Sequence, residues 1–289
     1  MGALARSVDH KRRGHPRTLN FMNDAKLKLD SGDLTGAVEA ALRLVKTNPT
    51  DATARTFLFE LSCFAGDWDR AEKQLDVIGH QDTNAMVGSL IYRGNFKAER
   101  DRMKFYADGL KPQFMTAIPS YVEDLIVAQN RVREGNIAEA RSLLDSVEEN
   151  RPAFSCSVNG EKYSDFRDYN DLTMCVFEAI HKDAYMWVPF EAVQKVEFFA
   201  PKTLRDLYWI QAKVDLTNGI GGEMFLPALY SGTWKSANDQ VRLGRMTDWR
   251  DLGDDLFAGD GTRLFWMDGK DKSILDVRTI EFSHDNPES

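Results

Sequence analysis

The chain has 289 residues, 43% hydrophobic and 28% charged, an ordinary globular balance that leaves no room for bulk disorder. Its net charge of −8 argues against non-specific nucleic-acid binding, which needs a basic footprint, and against adhesion to anionic membranes. No apolar run reaches the ~18 residues of a transmembrane helix, and the basic N-terminus lacks the apolar core of a secretory signal.

The length suggests about two domains. Charge is uneven: residues 1–20 hold Arg6, Lys11, Arg12, Arg13 and Arg17 against Asp9, a net +4, which leaves −12 for the rest. That segment reads as a solvated tail, with a polyanion-binding arm as the alternative. Arg6 stands where an N-myristoylation motif wants Ser or Thr. The three cysteines, Cys63, Cys156 and Cys175, have no paired spacing, which fits a reducing compartment; the cytoplasm is the simplest address.

Residues 21–152 read as helical repeats. Gly32-Asp33, Gly66-Asp67 and Gly135-Asn136 each precede a helix with a small residue, Ala37, Ala71 or Ala140, in its first turn. In each, Gly takes the left-handed turn and Asp or Asn caps the next helix. Gly32 and Gly66 are 34 residues apart, the tetratricopeptide period, and Gly66 and Gly135 are 69 apart, about two periods plus one. Pro49 and Pro152 each lie 17 residues after a unit's glycine and stop its last helix. Apolar stripes support three units: Ala37, Ala41 and Leu44; Leu58, Phe59, Leu61 and Phe64 facing Ala71, Leu75 and Ile78; Leu125, Val127 and Ala128 facing Ala140, Leu144 and Val147. The middle departs from the pattern. A long helix is expected from Asn84 to Asp108, interrupted by Gly88 and Gly94, and Phe59 stands where the repeat wants a small residue. The array is therefore degenerate, with a non-repetitive bundle as the alternative. A solenoid of this kind offers a concave face to a peptide or helix.

After Pro152 the texture changes to strands and turns. Phe154–Phe166 reads as a hairpin around Asn159-Gly160. Asp171–His181 reads as a helix with Leu172, Val176 and Phe177 on one face. Trp187–Phe190 and Lys195–Phe199 read as β segments. Leu207–Leu229 reads as a hairpin around Thr217-Asn218-Gly219. Arg263–Phe282 reads as a last hairpin around Asp268-Gly269. The expected fold class is therefore α+β: N-terminal degenerate tetratricopeptide-like repeats, then a mixed, mainly antiparallel α+β domain at 153–283 and a short tail at 284–289. Trp187, Trp209, Trp234, Trp249 and Trp266, five of six tryptophans, fall in this domain, as core or as partner anchors.

No catalytic constellation stands out. His10, His15, His80, His181 and His284 lack the spacing of a zinc-hydrolase helix, and no paired-cysteine metal motif, P-loop or nucleophile elbow is present. Gly219–Gly222 and Gly259-Asp260-Gly261 lack the strand-then-helix context of a dinucleotide loop. Asp251, Asp254, Asp255 and Asp260 do not match a calcium loop and read as a solvated acidic loop. Cys175 and His181, six apart on the expected helix, point in different directions. No catalytic residue, cofactor or metal is expected, and the chain is expected to bind rather than react.

At Arg55-Thr56-Phe57-Leu58-Phe59-Glu60-Leu61, Cys63 and Gly66-Asp67-Trp68-Asp69-Arg70-Ala71, the chain resembles the ImpE/SciE family, also called TagJ, accessory proteins of bacterial type VI secretion. The likeness continues at Tyr185–Glu191, Leu204–Trp209, Leu226–Tyr230, Arg245–Trp249 and Val277–Phe282, covering about residues 20–282. One departure is Gly261-Thr262-Arg263, where the family often has Gly-Gln-Arg. The resemblance implies a cytoplasmic, non-catalytic factor. It implies as partners the N-terminal helix of the contractile sheath's small subunit and the AAA+ ATPase that recycles the sheath. By repeat geometry, Thr53, Thr56, Glu60 and Phe64 on the inner face of the second unit are the candidate partner-binding residues, with Trp187–Phe190 as an alternative anchor. The competing expectation is an enzyme whose site lies in the C-terminal domain.

Overall fold

Left-handed glycines and prolines divide residues 16–150 into helices. The structure is a computed structural model that describes residues 16–80 and 83–284. Residues 1–15 of the expected basic tail and 285–289 of the C-terminal tail lie outside the described residues. The helices are α1 (Pro16–Ser31), α2 (Leu34–Thr47), α3 (Ala52–Phe64), α4 (Trp68–Gly79), α5 (Thr83–Asp108), α6 (Ser120–Glu134) and α7 (Ile137–Asn150). Each packs on the next in the chain.

The expected turn chemistry holds at all three glycines and at two of the three caps. Gly32, Gly66 and Gly135 have φ of 85°, 72° and 80°. The Asp33 carboxylate accepts from Gly36 N at 2.7 Å, and Asp67 caps α4 by accepting from Arg70 N at 3.0 Å. Asn136 makes no side-chain cap bond. Ala37, Ala71 and Ala140 are fully buried, as close helix approach requires.

Helix α5 is the departure that matters. It is 26 residues long, and its C-terminal half turns Phe96, Ala98 and Phe105 into the core. A Cβ on Gly94 would stand 2.5 Å from the Lys182 carbonyl oxygen, so this glycine lets a strand turn come up against the helix.

The remaining chain forms β1 (Cys156–Val158), β2 (Glu161–Tyr163), β3 (Arg167–Asp168), β4 (Val176–His181), β5 (Ala184–Pro189), β6 (Val193–Phe198), β7 (Trp209–Leu216), β8 (Gly221–Pro227), the short α8 (Asp239–Arg242), β9 (Thr247–Gly253), β10 (Leu256–Gly261), β11 (Leu264–Met267), β12 (Lys270–Ser273) and β13 (Thr279–Phe282). Eight strands make one antiparallel sheet in the order β2-β1-β13-β6-β7-β8-β4-β5. β9 and β10 pair as a hairpin, and β12-β11-β3 form a small third sheet. The open edge of β5 is covered by Gln113, which donates to Tyr185 O and accepts from Trp187 N. Phe166, Phe177, Phe190, Phe265 and Phe282 pack ring against ring and tie β4, β11 and β13 together.

The fold is α+β, as expected, with three local corrections. The helix expected over Asp171–His181 is a 3-10 turn at Asp171–Thr173 followed by β4. Val176 through Ile180 are all buried, because β4 lies between β8 and β5 and is covered on both faces; such a run has no periodicity to read. The second arm of the last expected hairpin is divided: β12 closes on β11, while β13 crosses to lie between β1 and β6. The expected acidic loop is the β9–β10 hairpin, turning at Asp254 and Asp255, both at positive φ.

Helices and sheet share one continuous apolar core. The expected concave face is consequently filled from within the chain. Phe64 packs on Tyr208 with ring centroids 5.3 Å apart, and Trp68 on Trp234 at 6.2 Å.

Candidate interaction surface

Five charged side chains meet where α5 lies on the sheet, all of them at most 4% exposed. Arg102 from α5 grips Glu178 of β4 with both arms, Nε to Oε1 at 2.9 Å and Nη2 to Oε2 at 2.8 Å. It also donates to the Leu229 carbonyl at 2.9 Å and pairs with Glu99 one turn before it. Arg263 bridges Glu178 and Asp168. The hydroxyls of Tyr185 and Tyr106 donate to Glu178 at 2.6 and 3.0 Å, and those of Thr173 and Tyr230 donate to Asp168 at 2.9 and 2.8 Å. Trp209 Nε1 donates to Glu99 at 2.9 Å.

Buried charges are tolerable only when paired and hydrogen-bonded, and these are. Burial alone would raise the Glu178 carboxyl, but the Arg102 and Arg263 guanidiniums outweigh it and hold it down at about 2. Burial pushes the Asp168 carboxyl up, against the pull of Arg263. The converging carboxylates in the C-terminal half are thus bound by arginines and sealed from solvent, and the Arg102–Glu178 pair ties α5 to the sheet.

The thiols are equally committed to structure. Cys63, Cys156 and Cys175 are free and buried. Burial pushes Cys156 and Cys175 up to about 12 and Cys63 well above its ordinary value, so none is a thiolate at neutral pH. Cys175 precedes β4 and His181 ends it, so an extended strand separates them by roughly 20 Å. Among the described residues, no group of three or more His, Cys, Asp or Glu is placed to hold a metal ion. Asp260 of the acidic cluster is ion-paired with Arg250 at 2.8 Å.

The four candidate partner residues do not form one open face. Thr53 is exposed and Thr56 half-buried, whereas Glu60 and Phe64 are buried. Glu60 accepts from Arg205 at 2.6 Å, and Phe64 lies under Tyr208, so both meet the chain's own C-terminal half. Trp187, Val188 and Phe190 are core residues.

The exposed apolar surface lies elsewhere, on the N-terminal half of α5. Met86, Val87, Leu90 and Ile91 are 46–57% exposed and fall on one face, at i, i+1, i+4 and i+5. The flanks of this face are fixed. Ser89 donates to the Leu75 carbonyl of α4 at 3.1 Å and Arg93 pairs with Asp76, while Lys97 pairs with Asp183 of the β4–β5 turn at 3.0 Å. At Gly88 an added Cβ would meet nothing within 4 Å, so the surface there is open. Sequence reasoning passed over this stripe because α5 lacked the repeat signature; its four apolar residues at helical spacing were the available signal. A second exposed feature is a groove of about 570 Å3 lined by Tyr169, Trp249, Phe257 and Trp266 with the Arg167–Asp171 ion pair. No helix is long and apolar enough to cross a membrane among the described residues.

Comparison with known proteins places these features in context. A family model described as ImpE protein matches residues 160–281. The type VI secretion system accessory component TagJ of Pseudomonas aeruginosa is 31% identical over 254 residues, spanning 88% of this chain and 89% of that protein. A crystal structure of a Vibrio parahaemolyticus protein superposes with a TM-score of 0.82 at 24% identity, covering 90% of this chain and 97% of the other, a likeness of fold.

Proposed function

Because the chain belongs to the ImpE/TagJ family of type VI secretion accessory proteins, we propose that it is a non-catalytic cytoplasmic adaptor of such a system. Its partner in this reading is the N-terminal helix of the sheath's small subunit, and its task is linked to sheath recycling by the AAA+ ATPase. The observation that carries the reading is the Met86, Val87, Leu90 and Ile91 face of α5. An unpartnered apolar stripe with fixed flanks suits the apolar side of an amphipathic helix, which docks through residues at i, i+3, i+4 and i+7. Full burial of such a side chain is worth roughly 1.5–3 kcal/mol, and since these four are already about half-buried, covering each adds about half of that, so the stripe supplies the apolar part of a docking site. The binding reading is also supported by the C-terminal half, where the buried carboxylates serve arginines and the thiols are sealed.

The test is calorimetric titration of the full chain with the sheath small subunit, intact and without its N-terminal helix. Saturable heat with the intact subunit and none with the truncated one is expected. Equal heat from both, or none from either, would overturn the assignment.

A further inference from the structure

The groove lined by Tyr169, Trp249, Phe257 and Trp266 gathers four aromatic rings at the surface. Tyr169 and Phe257 are 43% and 40% exposed, and rings grouped in the open mark interaction sites. Tyr169 and Trp249 form one wall, with centroids 5.1 Å apart. Phe257 and Trp266 make no ring contact among the described residues, so no ring of this chain closes the space beside them.

Charge selects the occupant. The carboxylates that line the groove, Glu148, Asp165 and Asp171, are matched by Arg141, Arg151 and Arg167. The surplus lies beside the two isolated rings. Phe257 stands opposite Asp251 in the β9–β10 pairing, and Trp266 stands opposite Asp271 in the β11–β12 pairing. Cross-strand partners share a face, with Cβ atoms about 4.5–5.5 Å apart. Both carboxylates are exposed and neither makes an ion pair among the described residues; Asp251 accepts only from Gly253 N, at 2.8 Å. A ring face and a carboxylate both attract a cation. The planar guanidinium of arginine suits the two together, stacking on the ring while its N–H groups reach the carboxylate. The two ring–carboxylate couples lie on different sheets, so a ligand that uses both carries two guanidiniums.

We propose that this groove binds an arginine-bearing peptide segment of a partner protein. One guanidinium rests on Phe257 and Asp251, another on Trp266 and Asp271, and the Tyr169–Trp249 wall packs the chain that joins them. The groove is built by α7, β3 with the residues that follow it, the β9–β10 hairpin and β11, none of which contributes to the exposed α5 face, so the proposal does not rest on that face.

The test is fluorescence anisotropy of the full chain with a labelled octapeptide of alternating arginine and glycine, its citrulline counterpart as the uncharged isostere, and free methylguanidinium as competitor. The arginine peptide is expected to bind and to weaken as salt rises. The double change Asp251→Asn, Asp271→Asn should weaken it at least ~10-fold. Both sites are exposed, and asparagine can still accept from Gly253 N, so the fold is kept. Glu39→Gln, the same neutralisation on α2, should leave binding unchanged. Phe257→Leu keeps apolar bulk but removes the ring, and should weaken binding about 3-fold. No binding at millimolar peptide, equal binding of the citrulline peptide, indifference to the carboxylate or ring changes, an equal loss in Glu39→Gln, or methylguanidinium binding as tightly as the peptide would each overturn the proposal. Binding at least ~10-fold tighter in an Arg6→Gln, Arg12→Gln, Arg13→Gln chain would make the chain's own basic segment the occupant, and would overturn the assignment to a partner.

Discussion

The Glu178 carboxylate sits in the fork of the Arg102 guanidinium, at 2.9 and 2.8 Å, joining a helix of the N-terminal half to a strand of the C-terminal half across 76 residues of chain. With both groups sealed from water, removing one partner strands the other. Arg102→Met is expected to destabilise the protein by about 3–5 kcal/mol in urea unfolding. A loss under about 1 kcal/mol would show that the pair does not hold α5 in place.

The same carboxylate makes stability depend on acid. Glu178 titrates at about 2 when folded, and a glutamate in an unfolded chain at roughly 4.3. Its folded pKa is depressed, so its contribution is present above the unfolded value and is lost as pH falls from about 5 to about 2. The size is about 3 kcal/mol, offset in part by Asp168, whose carboxyl is shifted the other way. Glu178→Gln should flatten the stability–pH curve in that window. An unchanged slope would contradict the assignment.

Gly66 carries two constraints, a φ of 72° and an indole where its side chain would be: an added Cβ would stand 2.7 Å from the Trp234 ring. Gly66→Ala should therefore cost about 1–3 kcal/mol. In a Trp234→Ala background the same change should cost less, because the clash goes and only the backbone strain remains. Strict additivity in this double-mutant cycle would place Trp234 elsewhere in solution.

The contrast between Gly66 and Glu178 shows what was legible in the sequence. The turns were, because a glycine at positive φ followed by a capping Asp is local chemistry, as is the Asn159-Gly160 hairpin with both residues at positive φ. β4 was not, since burial on both faces erased the alternation that marks a strand. Arg102, Glu178 and Arg263 are ordinary charges on three distant segments, and nothing local says that they meet. The departure at Gly261-Thr262-Arg263 has a place in the structure: Thr262 donates to the Gly244 carbonyl while Arg263 enters the buried network. Thr53, Thr56, Glu60 and Phe64 shared a helix face as read, but the face was taken by Arg205 and Tyr208, from a half of the chain whose docking no repeat pattern encodes.

The three thiols should be silent. Buried, and held by burial above their ordinary pKa, Cys63, Cys156 and Cys175 are expected to react with a disulfide reagent only on unfolding. Rapid modification of one thiol in the native protein at pH 8 would contradict the burial described.

The proposed docking of the sheath small subunit on α5 is tested most directly by calorimetry of a Leu90→Asp, Ile91→Asp variant with that subunit. Both side chains are exposed, so the melting temperature should stay within a few degrees of wild type. Affinity should fall at least ~10-fold, since two apolar contacts of about 1 kcal/mol each, half the value of full burial, are replaced by charge. Wild-type affinity in the folded variant would contradict binding through this face.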